Sequence, residues 1–231
     1  GKHLTGAFIY YDCQMLSPER LTLEFLLSAA EQGAQLANYV EVTGFDVEND
    51  CMRGVQALDV LSGERFPISA RVTINASGPW ADLLLGLMDG KPAKKLRRSK
   101  GIHILTRPIV GEHALTLATP AGRHLFLIPW RGYTLIGTTD KAYEGHPDDF
   151  RVTESDMLEL IAEVNETLPE AKLTRADIKH FYGGLRPLVE EETQVEAESY
   201  QLSRKFEVYD HAERGLENFI TVIGGKYTTA R

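Results

Sequence analysis

The residues best equipped for chemistry sit in a few short turns. Gly224-Gly225-Lys226-Tyr227-Thr228-Thr229 follows the apolar run Phe219-Ile220-Thr221-Val222-Ile223. A buried strand running into paired glycines, hydroxyls and a cation is how an α/β protein brings backbone N–H groups up to a phosphate or a flavin ring. Gly224 and Gly225 permit close backbone approach. Lys226 supplies a mobile positive charge or is an ordinary solvated lysine, and Thr228 presents its N–H or simply caps a helix. The sequence ends at Arg231, where a helix is expected to begin, so it reads as a piece of a larger enzyme. Arg186 sits between Gly183-Gly184-Leu185 and Pro187, a confined backbone at a strand end. Its planar guanidinium suits an oxyanion, or else a surface ion pair. His103 lies in an apolar run, Ile102-His103-Ile104-Leu105. Its imidazole accepts a proton near neutral pH, unless it is a satisfied core histidine. Asp140, after Gly137-Thr138-Thr139, reads as a turn-capping carboxylate.

Elements must hold these groups in place. Ser17-Pro18-Glu19 predicts a helix start, with serine as N-cap, proline at the first helical position and an acid in the first turn. The helix continues over 21–32 and ends at Gly33. Strands are predicted at 7–12, 35–41, 55–61, 65–70 and 71–75, the third and fourth forming a hairpin about Ser62-Gly63. A helix covers 80–88. Closely spaced strands at 103–106, 114–119, 125–129 and 133–137 predict an antiparallel sheet. Residues 153–168 form a helix capped by Thr153 and Asp156, with Met157, Leu160, Ile161 and Val164 on one face. Strands at 178–182, 205–209 and 219–223 complete the chain. The fold class is therefore a mixed α/β (α+β) one. Residues 13–90 and 216–231 resemble parts of a nucleotide domain, 91–215 an antiparallel domain, and 1–12 a strand of the latter.

Composition narrows the function. A net charge of −8 argues against a nucleic-acid binder. The one basic cluster, Lys94, Lys95, Arg97, Arg98 and Lys100, reads as a solvated loop or as a patch attracting an anionic substrate or lipid headgroup. Cys13 and Cys51 have no metal-ligand spacing and are expected to be reduced thiols of a cytoplasmic protein. The histidines form neither HxH nor HExxH, so no catalytic metal is expected. No GxGxxG follows a strand near residue 1, and no acid follows about twenty positions on to bind a ribose.

Taken together, Gly6-Ala7-Phe8-Ile9-Tyr10-Tyr11-Asp12, Asn75-Ala76-Ser77-Gly78-Pro79-Trp80, Ser99-Lys100-Gly101-Ile102-His103, Ile128-Pro129-Trp130, Ile136-Gly137-Thr138-Thr139-Asp140, Tyr182-Gly183-Gly184-Leu185-Arg186-Pro187-Leu188 and the Gly-Gly-Lys turn resemble the FAD-dependent glycerol-3-phosphate dehydrogenases, in order and spacing. The resemblance covers essentially the whole chain. One departure is Cys13-Gln14-Met15-Leu16-Ser17-Pro18-Glu19-Arg20, where the family more often has an acidic pair before the arginine.

The resemblance implies a partial Rossmann-like FAD domain interwoven with an antiparallel substrate-binding cap. FAD is the implied cofactor, lined by Ala76, Gly78, Trp80, Gly224, Gly225 and Thr228. Glycerol 3-phosphate is the implied substrate, met by Arg186, Arg204, Lys226 and His103, the last as proton acceptor. Arg204, in Ser203-Arg204-Lys205, reads equally as a solvated strand-end cation. Trp80 reads equally as a core residue. A quinone is the implied electron acceptor, with peripheral attachment to the cytoplasmic face of the membrane. Alternatives sharing these motifs are a glycerophosphate oxidase reducing O₂ and an amine or amino-acid oxidase of the same broad fold. A non-catalytic binding module is the alternative outside the enzymes. The isolated chain is expected to be inactive.

Overall fold

The computed structural model describes residues 6–89, 96–119, 122–188 and 206–225. In chain order its elements are α1 (Pro18–Glu31), β1 (Val40–Glu48), β2 (Cys51–Asp59), β3 (Arg65–Ser69), β4 (Thr73–Asn75) and α2 (Ala81–Asp89). There follow β5 (Arg97–Thr106), β6 (Leu115–Ala118), β7 (His124–Trp130), β8 (Tyr133–Gly137), β9 (Lys141–Tyr143), α3 (Glu154–Thr167), β10 (Ile178–Leu188), β11 (Glu207–Asp210) and β12 (Phe219–Ile223). The chain forms two compact units, Gly1–Leu16 with Ser99–Leu185 and Ser17–Arg98 with Arg186–Arg231. The changeovers at 16/17, 98/99 and 185/186 stand against the expected 12/13, 90/91 and 215/216. The last differs most because β11 pairs antiparallel with β12 and so keeps company with the chain's final strand.

The first unit is built on one sheet in the order β10-β5-β8-β7-β6, with β9 pairing β5. The β5–β8, β8–β7 and β7–β6 pairs are all antiparallel. Alternation along each strand sends Ile102 and Ile104 to the same core as Leu125, Leu127 and Ile136. Against them lie Met157, Leu160, Ile161 and Val164 of α3, the i, i+3, i+4, i+7 stripe expected from the sequence. Each such aliphatic side chain contributes roughly 1.5–3 kcal/mol on burial. The capping box is present: the Asp156 N–H donates to Thr153 Oγ1 (3.3 Å), and the Thr153 N–H donates to Asp156 Oδ2 (2.9 Å).

The second unit has two small sheets. In β1-β2-β3 the first turn holds Asn49 and Asp50 at φ 49° and 60°. That pair of left-handed residues is the two-residue hairpin turn whose twist matches the strands. In the other sheet β11 pairs antiparallel with β12, and β12 pairs parallel with β4 in the register Phe219↔Thr73, Ile220↔Ile74, Thr221↔Asn75. Phe219 packs with Met52 and Leu85, and Ile223 with Ala81 and Leu96.

The fold is thus the mixed α/β one expected, with differences at the edges. Residues 7–12 form no strand, and Phe8 is fully exposed. The strand expected at 35–41 begins only at Val40 and runs on to Glu48, because its partner is β2. The basic cluster is not a solvated loop where it is described. Arg97 to Lys100 belong to β5, Arg98 is buried, and Lys100 pairs with Asp156. Lys94 and Lys95 lie outside the described residues.

Candidate functional site

In the second unit the parallel pairing of β4 and β12 aligns two turns at one edge. Both strands run the same way, so their carboxyl ends lie side by side. The first leads into Ala76-Ser77-Gly78 and the second into Gly224-Gly225. Ligands of α/β sheets bind outside the carboxyl ends of parallel strands. Asn75 shapes the first turn: its Oδ1 accepts from the Ser77 N–H (3.2 Å) and hydroxyl (2.6 Å), and its amide donates to the Ala81 carbonyl (3.1 Å). Gly78 has φ 58°, and the space where a β-carbon would project is open. Gly224 and Gly225 have φ 80° and 97°, conformations that favour glycine.

A buried ion pair holds the first turn from behind. Arg98 Nη2 donates to Asp82 Oδ1 (2.5 Å), and its Nε donates to the Pro79 carbonyl (2.7 Å). The Leu96 N–H donates to Asp82 Oδ2 (3.0 Å). Truncating one partner of such a pair strands a buried charge, at a cost of about 3–5 kcal/mol. Neither Arg98 nor Asp82 stood out in the sequence as a support for this turn; Asn75 was visible there only as the first letter of the motif. Trp80 is 42% exposed in this chain.

In the first unit His103 sits on β5 between Ile102 and Ile104, both fully buried on the α3 side. Alternation places His103 on the opposite face, where it is half-buried. It therefore lies outside the hydrophobic core. Opposite it on β8 is Gly137, and opposite Gly137 on β7 is Phe126. A β-carbon on Gly137 would overlap the His103 ring. Tyr182 of β10 stacks on the imidazole, with ring centroids 5.0 Å apart and planes 13° from parallel. Asp140 and Thr139 tie the segment after β8 to β5. Ser99 Oγ donates to Asp140, and Thr139 Oγ1 accepts from the Ile102 N–H (2.9 Å).

His211, in the second unit, shows the other fate of a histidine. It hydrogen-bonds the buried Thr221 hydroxyl (2.9 Å) and lies against Phe219. Burial, aided by the Arg214 charge, pushes its pKa below the ordinary imidazole value.

Arg186 is half-buried on β10, two residues before the strand's last residue and past the boundary into the second unit. Lys226, Arg204 and Thr228 lie outside the described residues. Among the described residues no group of His, Cys, Asp and Glu is arranged to hold a metal. Cys13 and Cys51 are free thiols, Cys51 buried. No described helix is long and apolar enough to cross a membrane.

Comparison with known proteins adds to this geometry. The family described as FAD dependent oxidoreductase (DAO) matches residues 1–229. The chain is 39% identical over 243 residues to a glycerol-3-phosphate dehydrogenase of Synechocystis sp., covering all of this chain and 43% of that protein. It is 36% identical to the aerobic glycerol-3-phosphate dehydrogenase of Bacillus subtilis, covering 96% of this chain and 39% of that one. The solved glycerol-3-phosphate dehydrogenase of Bacillus halodurans, complexed with FAD, superposes with a TM-score of 0.75 at 32% identity, over 91% of this chain and 39% of that one. The chain thus spans about two-fifths of the length of these relatives.

Proposed function

The chain belongs to the FAD dependent oxidoreductase (DAO) family, and from that premise we propose that it is part of a flavoenzyme oxidising sn-glycerol 3-phosphate to dihydroxyacetone phosphate. The observation that carries the reading is the parallel β4–β12 pair with two glycine turns of positive φ at its carboxyl end. Those turns fit a flavin: Ala76 and Gly78 in one, Gly224 and Gly225 in the other, offer backbone without bulky side chains. Trp80 and Thr228 complete the proposed lining. FAD, when bound, supplies the acceptor for the hydride on C2 of the substrate. The substrate itself is inferred from relatives that bear the name glycerol-3-phosphate dehydrogenase.

The protein's own work is binding, orientation and proton transfer. His103, in its neutral form, takes the C2 hydroxyl proton on its imidazole as the hydride departs, so the alcohol becomes a ketone with atoms and charge balanced. Arg186 binds a substrate oxyanion through its planar fork. On the resemblance, Arg204 is assigned a contact to the substrate phosphate, and Lys226 a contact to a substrate oxygen or to negative charge near the reduced flavin. Electrons then pass to a quinone, with the enzyme peripheral to the cytoplasmic face of the membrane. The visible spectrum of the purified full-length protein tests the core of this reading. A flavin band bleached by glycerol 3-phosphate and untouched by glycerol or amino acids is the expected result. A band bleached by an amino acid instead would overturn the substrate assignment. Quinone reduction without stoichiometric peroxide is expected of a dehydrogenase; peroxide as the main product would make it an oxidase.

A further inference from the structure

Proton transfer demands a well-placed base: misplacing a reacting group by about 1 Å costs on the order of a hundredfold in rate. A histidine side chain turns about two bonds, and hydrogen bonds at its nitrogens restrain the ring edge more than its plane. Two neighbours restrict the plane of His103. Below it, Gly137 stands at the register position directly opposite and leaves room that any β-carbon would take away. Above it, the Tyr182 ring lies 5.0 Å away and nearly parallel, the offset-stacked arrangement aromatic rings prefer. Tyr182 is 45% exposed and is not part of the hydrophobic core among the described residues. Its strand β10 is the hydrogen-bonded neighbour of β5, which brings the two rings to the same sheet face.

The geometry points to Tyr182 as a positioning residue, whose ring face holds the His103 imidazole in the plane from which it accepts a proton, with Gly137 providing the space on the other side. The inference rests on the reading of His103 given above. It assigns the work to the ring and not to the hydroxyl.

The test uses the full-length, FAD-loaded enzyme with Tyr182→Phe, Tyr182→Leu, Gly137→Ala and His103→Gln. Phenylalanine keeps the stacking face, and leucine keeps apolar bulk without it. Turnover within about twofold of wild type is expected for Tyr182→Phe, whereas Tyr182→Leu lowers kcat about ten- to a hundredfold, with KM for glycerol 3-phosphate changed less than threefold. Gly137→Ala, which displaces the ring, reproduces the leucine effect. NMR of ¹³C-histidine-labelled enzyme gives a readout independent of turnover. The His103 Cε1–H resonance, assigned by its loss in His103→Gln, is expected to be ring-current shifted in wild type and Tyr182→Phe and unshifted in Tyr182→Leu. An unshifted resonance in wild type would show that the stack does not exist. Normal kcat in Tyr182→Leu with the shift abolished would show that the stack positions nothing; either result overturns the inference while a crippled His103→Gln leaves the base in place. Normal turnover in His103→Gln removes the base itself, and the inference with it.

Discussion

At the scale of single residues, the reading stands on a half-buried imidazole and a guanidinium. His103→Gln should lower kcat by roughly 10²–10⁴-fold, the usual range for losing a general base. Flavin content and unfolding temperature should stay near wild type, since His103 lies outside the hydrophobic core. The acidic limb of the kcat/KM profile, which reports the essential base, should vanish with it. A folded variant that keeps the limb and turns over normally would send the search for the base elsewhere. Arg186→Lys keeps the charge and loses the planar fork. A charge-assisted hydrogen bond is worth about 1.5–3 kcal/mol, so kcat/KM should fall on the order of ten- to a hundredfold. Steady-state kinetics of the lysine variant decide it, and unchanged constants would move Arg186 out of the site.

At the scale of elements, α3 is held to its sheet by a carboxylate at its own start. Asp156 is buried, caps the helix through Thr153 and accepts a hydrogen bond from Lys100 Nζ (2.7 Å). Burial works against its ionisation. The Lys100 hydrogen bond, the Thr153 N–H and hydroxyl and the Lys100 charge outweigh that, and hold its pKa below the ordinary value. A depressed carboxyl pKa stabilises the fold fully above the unfolded value of about 3.9, and the contribution is lost as pH falls through the folded value. Asp156→Asn should therefore be less stable than wild type at neutral pH and show a flatter loss of stability below about pH 4. Thr153→Ala, which removes the N-cap and the hydroxyl's hydrogen bond to Asp156 Oδ2 (2.8 Å), should cost about 0.5–2 kcal/mol. Denaturant titrations across pH measure both. Parallel pH curves for wild type and Asp156→Asn would mean that this carboxylate does not link α3 to acid stability.

At the scale of the whole molecule, much apolar surface is left in the open. No residue of α1 is buried, although it carries Leu23, Phe25, Leu26 and Leu27. In the sheet β11-β12-β4, Ile74 and Val208 are more than half exposed while Phe219 and Thr221, of opposite parity, are buried. A parallel strand pair is ordinarily covered on both faces. Residues 1–231 expressed alone should accordingly bind a hydrophobic dye such as ANS strongly. They should hold FAD weakly, because the sequence has no GxGxxG turn to grip the pyrophosphate. Fluorescence titration tests both. Submicromolar FAD affinity would show that the glycine turns at 76–78 and 224–225 suffice by themselves.

Much of this was legible in the residues. The α3 stripe and its capping box, the β8 and β12 strands and the mixed fold class follow from side-chain period and hydrogen-bonding chemistry within a few neighbours, which is information a sequence holds locally. Local signals also misled. The apolar stretch 7–12 has strand-like residues and no strand, since a strand exists only where another edge pairs with it. A basic cluster read as solvated because charge prefers water, yet Arg98 is buried. What reversed that preference was Asp82, sixteen residues away in sequence and 2.5 Å away in the fold. The same holds for the site. Composition and motif order named His103, Gly78 and Gly225 as candidates. Only the parallel register of β4 on β12 set two glycine turns side by side, and only the pairing of β5 with β8 and β10 set Gly137 and Tyr182 on either side of the imidazole. Those are long-range pairings, fixed by which strands find each other, and no local run of residues encodes them.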